Sequence, residues 1–322
     1  MMRQKSLQYA ILFLGFVSAL NPTAYCQERE EIRRTFALNP GATISLENIS
    51  GNITVSSWSG TEAEMVAIKT GPADQLKSVD VSTNAQPSRL SIKTVYPGGN
   101  NRVSVSFDLK VPRNVNLDSI KSVSGSVTIS DIDGRVIGRS VSGDVVARNI
   151  GRETSLEAVS GRVSAAGIRD RASLRSVSGD VVADKIDGDL DAKSVSGEVL
   201  LGEVKGHLNA ESVSGDVKVT GGSVIDLKAS TVSGSIRFDG NLNAGGRYEL
   251  KSHSGAITMS LPADSKFVLQ ASTFSGSIKS DFDIKVNGLS EKKTLSGIVG
   301  DGGPTVELRS FSGSIGIRKS GI

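Results

Sequence analysis

Asp187, Asp189 and Asp191 put three carboxylates at alternate positions, with Glu198 following eleven residues after Asp187. These positions match the acidic places of a helix-loop-helix calcium loop, where several carboxylates replace the hydration shell of a hard cation. Two features count against a metal. Ala192 stands where such a loop turns on a glycine, and no helical periodicity flanks the segment. The four acids are a weak metal candidate, and a solvated face with no metal and no cofactor is the preferred reading. His207 and His253 are the only two histidines, and neither has a second His or a Cys at ligand spacing. His253 precedes Ser254, but neighbours on an extended chain aim apart, which argues against a Ser–His nucleophile.

Arginine offers a second chemistry. Residues 135–175 hold eight arginines against four acids, a balance of +4, whereas 176–220 hold four lysines against nine acids, a balance of −5. Guanidinium groups suit flat anions, so Arg148 and Arg162 are the candidate ligand-binding residues for a carboxylated or phosphorylated glycan. The alternative is an ordinary mixed surface. A third set is the serine column Ser124, Ser142, Ser160, Ser178, Ser196 and Ser214. Its regularity invites a nucleophile reading, yet hydroxyls bonding one another and the turn amides fit better.

Each of those serines precedes a glycine, and Gly125, Gly143, Gly161, Gly179, Gly197 and Gly215 are spaced 18 apart. So strict a period means stacking: one unit cannot bury its own apolar side, so successive windings share a core. Apolar columns follow the same period. They are Val127 to Val217, Ile129 to Val219 and Ile132 to Val204, with a fourth from Ile120 through Leu156 and Leu174 to Ala210 that Gly138 interrupts. A second glycine near mid-repeat (Gly134, Gly151, Gly188, Gly206) gives each winding two strand segments and two tight turns. After Gly215 the spacing grows to 19 and then 21 residues, with the additions at turns such as Leu261-Pro262-Ala263-Asp264. The prediction is an all-β, single-stranded β-solenoid (β-helix) of about 18–21 residues per winding, right-handed by expectation, with no helix in the mature chain. The valine before each serine is ambiguous: its constancy suggests an inward bend, whereas alternation puts it outside.

Met1 to Cys26 has the charged start, apolar run and small-x-small end of a signal peptide. Residues 27–115 read as irregular first windings that cap the stack, with Pro97-Gly98-Gly99-Asn100 as a turn, and 116–322 as the regular repeat of the same domain. The terminal segment, ending in Phe311-Ser312-Gly313, reads as a loop and a final winding; Leu295-Ser296-Gly297 is set aside as an imitation of the motif. Cys26 is the only cysteine, and the bulky Tyr25 before it argues against lipid attachment. Cleavage after Cys26 leaves a chain without thiols or disulfides. Without Arg3 and Lys5 the balance is 35 basic to 34 acidic residues, which argues against nucleic acid as a partner. No later segment is apolar and long enough to serve as a transmembrane anchor. The expected location is therefore outside the cytoplasm, periplasmic or extracellular.

The segment Ile44-Ser45-Leu46-Glu47-Asn48-Ile49-Ser50-Gly51-Asn52-Ile53-Thr54-Val55, the segment Val111-Pro112-Arg113-Asn114-Val115-Asn116-Leu117 and the Val-Ser-Gly-Asp-Val units resemble the bacterial putative-adhesin domains, which are related to toastrack domains. The resemblance spans residues 35–322. It implies a β-helical, non-enzymatic envelope module and carries over no catalytic residue. On this reading the chain is an exported, adhesin-like scaffold whose partners are a surface glycan or an envelope protein, with its oligomeric state open. The competing readings are a polysaccharide-acting β-helix enzyme and an envelope-stress scaffold working through a membrane partner.

Overall fold

The computed structural model describes residues 27–98, 101–286 and 293–320. Met1 to Cys26 and the Gly99-Asn100 half of the expected turn lie outside them. Each regular winding contributes two strands. An approach strand such as Val136–Ser142 runs into the Ser-Gly corner, and a departure strand such as Val145–Ile150 leaves it. Approach strands stack in parallel into a 15-stranded sheet, departure strands into a 14-stranded one.

The register is that of the repeat. Val145 pairs with Val127 on one side and Val163 on the other, and Ala147 lies between Ile129 and Ala165. All four predicted apolar columns are buried between the sheets. Stacked coils demand this, because each side chain meets its equivalent one strand spacing away, about 4.8 Å.

The second turn adds a column of left-handed backbone. Asp131, Asn149, Lys185 and Glu203 have φ between 49° and 62°, with Gly167 and Gly221 at the equivalent places in their windings. Non-glycine residues rarely adopt that conformation. Here it drops one residue from the strand pairing and shifts the alternation by one, so that Ile132, Ile150 and Ile168 face inward.

Both ends depart from the simple winding. Thr43–Ser50 pairs directly with Asn116–Ser124, and Ile53–Trp58 with Val127–Ile132. The chain between them folds onto the outer side of that first winding. Glu62–Pro72 lies antiparallel on Ser104–Pro112, and Gln27–Ala37 lies antiparallel on Glu62–Pro72. Antiparallel strands at an end close off an otherwise open stack. A four-residue helix, Ala73–Leu76, buries Leu76 here and corrects the expectation that no helix would form.

At the other end the expected final winding is misplaced. Thr305–Ser312 inserts between Arg247–Ser254 and Phe267–Ser275, and Ile315–Lys319 inserts between Ile257–Leu261 and Ile278–Ser280. The last winding in sequence is thus the penultimate one in space. Periodicity reports that a segment is a winding, but not which neighbours it takes. Leu295-Ser296-Gly297 belongs to Thr294–Val299, an antiparallel strand on Phe267–Ser275, and is no corner. Phe267 and Phe282 meet edge-to-face, 5.4 Å between ring centres, within this closing segment.

Candidate interaction surface

At nearly every Ser-Gly corner the usual pattern of polar outside and apolar inside is inverted. In Asn116–Ser124, Ser122 points inward and is buried, while Val123 next to it points out. The inward position is a hydroxyl in nearly every winding. Ser140, Ser176 and Ser194 each donate to the carbonyl oxygen of the preceding winding's corner glycine (Gly125, Gly161 and Gly179) at 2.9 Å. Thr231 and Thr273 do the same to Gly215 and Gly313 at 3.0 Å. These bonds satisfy carbonyls that the corner turns into the core, where an unpaired acceptor is costly.

The hydroxyl ladder is therefore not the one expected from the Ser-Gly serines. Ser124, Ser142 and their equivalents are exposed, and the ladder stands two residues earlier. Its signal was present in the sequence, since the repeat reads Ser/Thr-Val-Ser-Gly in most windings, with Ala158 the break.

Outward valines follow as a consequence. Following the stack, Val95, Ile49, Val123, Val141, Val159, Val177, Val195, Val213 and Val232 each expose 45–49% of their surface. The column continues through His253, Phe311 and Phe274, whose rings stack at 4.9 Å, first His253 on Phe311 and then Phe311 on Phe274. Phe274 is 70% exposed. The ridge bounds an open groove of about 960 Å³.

Charged columns run on either side of this ridge. Two residues before it stand Glu47, Lys121, Arg139, Glu157, Arg175, Lys193 and Glu211, linked along the stack by Arg139–Glu157 (2.9 Å) and Lys193–Glu211 (3.3 Å). Three residues after it stand Asp144, Arg162, Asp180, Glu198 and Asp216. Here a carboxylate oxygen accepts the next winding's N–H, as Asp144 does from Arg162 at 2.8 Å and Asp216 from Ser235 at 2.7 Å.

A family model described as Toastrack DUF4097 matches residues 25–244 and 206–318. The chain belongs to the Toastrack family. Among solved structures it is similar to a "putative adhesin" from Bacteroides fragilis, at 14% identity over 90% of this chain and 97% of that one, with a TM-score of 0.37. It is also similar to a "putative lipid binding protein" from Parabacteroides distasonis, at 14% identity over 90% and 97%, with a TM-score of 0.32. A third is a "putative cell adhesion protein" from Clostridium sporogenes, at 11% identity over 91% and 100%, with a TM-score of 0.23. No curated protein sequence matches the chain.

On this Toastrack scaffold the acids singled out above do not converge. Asp187 pairs with Lys205 at 3.1 Å, and Asp191 with Arg175 at 3.2 Å. Asp189 accepts the His207 backbone N–H at 3.0 Å and faces Arg171 at 3.4 Å. That backbone bond is the main cause holding its carboxyl below the usual range, with the charges of His207 and Arg171 adding to it. Glu198 sits at the corner, beside the ridge. Among the described residues no group of three or more His, Cys, Asp or Glu side chains is placed to hold a metal ion.

Arg148 and Arg162 occupy different columns. Arg148 lies exposed in the departure sheet between Ser130 and Ala166, with no ion pair among the described residues. Arg162 pairs with Asp180 at 3.2 Å. The arginine-rich stretch thus resolves partly into ion pairs between neighbouring windings. His253 stacks on Phe311 and makes no bond to Ser254, while His207 approaches Asp226 at 3.1 Å. Among the described residues no helix is long and apolar enough to cross a membrane.

Proposed function

We propose that the chain is an exported, adhesin-like binding and scaffolding module of the cell envelope, without catalytic activity, that makes its contacts through the apolar ridge and its charged flanks. The observation that carries this reading is the unbroken outward column from Val95 to Phe274. Burying a Val side chain is worth about 1.5–3 kcal/mol, yet the fold leaves this one exposed in winding after winding. Nothing inside the scaffold needs a valine there. Contiguous exposed apolar surface of this length marks a contact site, and affinity would accumulate from many repeated weak contacts along the rod. Arg148, exposed and without an ion pair among the described residues, is available to an anionic group of the same partner.

The test uses immobilised envelope polysaccharides, neutral, carboxylated and phosphorylated. The chain should be retained without releasing reducing ends, and retention should be lost when Val159 and Val195 are both replaced by Asp. Release of reducing ends would favour the enzyme reading instead, and unchanged retention by the double variant would remove the ridge from the function.

A further inference from the structure

The ridge and its two flanks have a symmetry that selects one partner. This inference rests on the ridge being a contact surface, and it goes on to name what the surface meets. In four successive windings the residue two before the ridge and the residue three after it carry opposite charges. These are Arg139 with Asp144, Glu157 with Arg162, Arg175 with Asp180, and Lys193 with Glu198. In the second of them both signs are reversed together. Within one chain the ion pairs of these side chains run along the stack, as in Arg139–Glu157, Arg162–Asp180 and Lys193–Glu211, and not across the ridge.

A twofold axis lying along the ridge carries each winding onto the same winding of a second copy and exchanges the flanks. Every charge then faces its opposite in all four windings, the reversed one included. Only the Val213 winding, with Glu211 and Asp216, sets like charges together. An arrangement running in opposite directions brings the first flank against itself. Centred between Val159 and Val177, it would match Lys121 with Glu211, Glu157 with Arg175 and Arg162 with Asp180, but it would set Arg139 against Lys193 and Asp144 against Glu198. The area suffices as well. Twelve ridge positions at the strand spacing span roughly 50 Å, so a standard interface of roughly 800 Å² per partner needs a strip only about 16 Å wide, the ridge and its flanks.

We propose that two copies of this chain pair side by side, running in the same direction, through the ridge. Isologous contacts of this kind are the commonest way for soluble chains to associate.

The chain's single cysteine makes the test direct. In a Cys26→Ser background, Val141→Cys and Val213→Cys should each form a disulfide-linked dimer with itself under mild oxidation. Sedimentation of the chain without these cysteines should give the mass of a dimer. Lys193→Glu and Glu198→Lys should each weaken it by about tenfold. The double variant, which copies the natural Glu157/Arg162 arrangement, should restore it, with circular dichroism confirming an unchanged fold throughout.

A monomer at every concentration would overturn the proposal. So would Val141→Cys cross-linking to Val195→Cys and not to itself, or a double variant weaker than either single one. A monomer that still binds polysaccharide through the ridge would remove the pairing and leave the binding role intact. A dimer that binds no polysaccharide would do the reverse.

Discussion

The Ser176 hydroxyl donates to the Gly161 carbonyl oxygen at 2.9 Å, across a gap that exists because Gly179 has no Cβ. A Cβ on Gly179 would collide with that same oxygen and approach the Ser176 hydroxyl to 3.1 Å. Gly179→Ala should therefore cost about 2–3 kcal/mol by urea unfolding, since the backbone of the neighbouring winding has to yield. Gly98→Ala, where a Cβ meets nothing within 4 Å, should change stability by less than about 0.5 kcal/mol.

The hydroxyl ladder is interrupted at Ala158, which is buried in line with Ser140 and Ser176. Ser176→Ala should cost about 1 kcal/mol by depriving the Gly161 carbonyl of its donor, and Ala158→Ser should return up to about that amount by supplying one to Gly143. Equilibrium denaturation of both variants checks the pair. A destabilising Ala158→Ser would mean that the site has no room for the hydroxyl.

Lys185 and Glu203 hold the left-handed backbone that Gly167 and Gly221 take up in equivalent windings. Replacing either by Gly should stabilise the chain by roughly 1 kcal/mol, the steric cost of that conformation for an L-residue less the flexibility glycine adds to the unfolded chain. Thermal melts of Lys185→Gly and Glu203→Gly would show it.

Among the described residues three carboxyls sit below their ordinary range: Asp189 through the His207 backbone N–H, Glu249 through the Lys251 ammonium, and Asp301 through Lys266. Each is lower in the folded chain than in the unfolded one, so the unfolded chain takes up protons first as pH falls. Their contribution is complete above the ordinary carboxyl pKa of about 4 and disappears as pH drops through the folded values. Melting temperature should hold steady above about pH 5 and decline below about pH 4, less steeply in Asp189→Asn.

Lys69 is buried in the first cap, its ammonium 3.2 Å from Glu30 and 3.5 Å from the Leu76 carbonyl. Removing the carboxylate leaves a nearly enclosed charge with one weak partner. Glu30→Ala should loosen Gln27–Ala37 from Glu62–Pro72, and amide exchange should accelerate there well before it does in the central windings.

Much of this was legible in the repeat. An 18-residue period with fixed apolar columns determines two stacked sheets and the inward set, because only one register buries Val127, Ile129 and Ile132 together. The inward hydroxyl is equally present in the repeat at Ser122 and Ser140, but it shares its period with the serine beside the glycine, and a period alone does not say which of the two faces inward. The direction of Val123 could not be settled by alternation, which breaks where a polar side chain has a carbonyl to satisfy inside. Pairing of distant segments, such as Thr305–Ser312 with Arg247–Ser254, leaves no trace in a period. Nor did the acid spacing at Asp187 reveal that each carboxylate would find a base in a neighbouring winding or a backbone amide.

The placement of Thr305–Lys319 inside the stack has a consequence for how the molecule is made. Growth cannot proceed as simple coiling from first residue to last, because Phe267–Ser280 is synthesised before the strands on which it finally rests. It must wait, its apolar face unsupported, until the tail arrives beneath it. Completion is thus a single late event that joins tail and lid at once, and a chain lacking its last twenty residues would lose both.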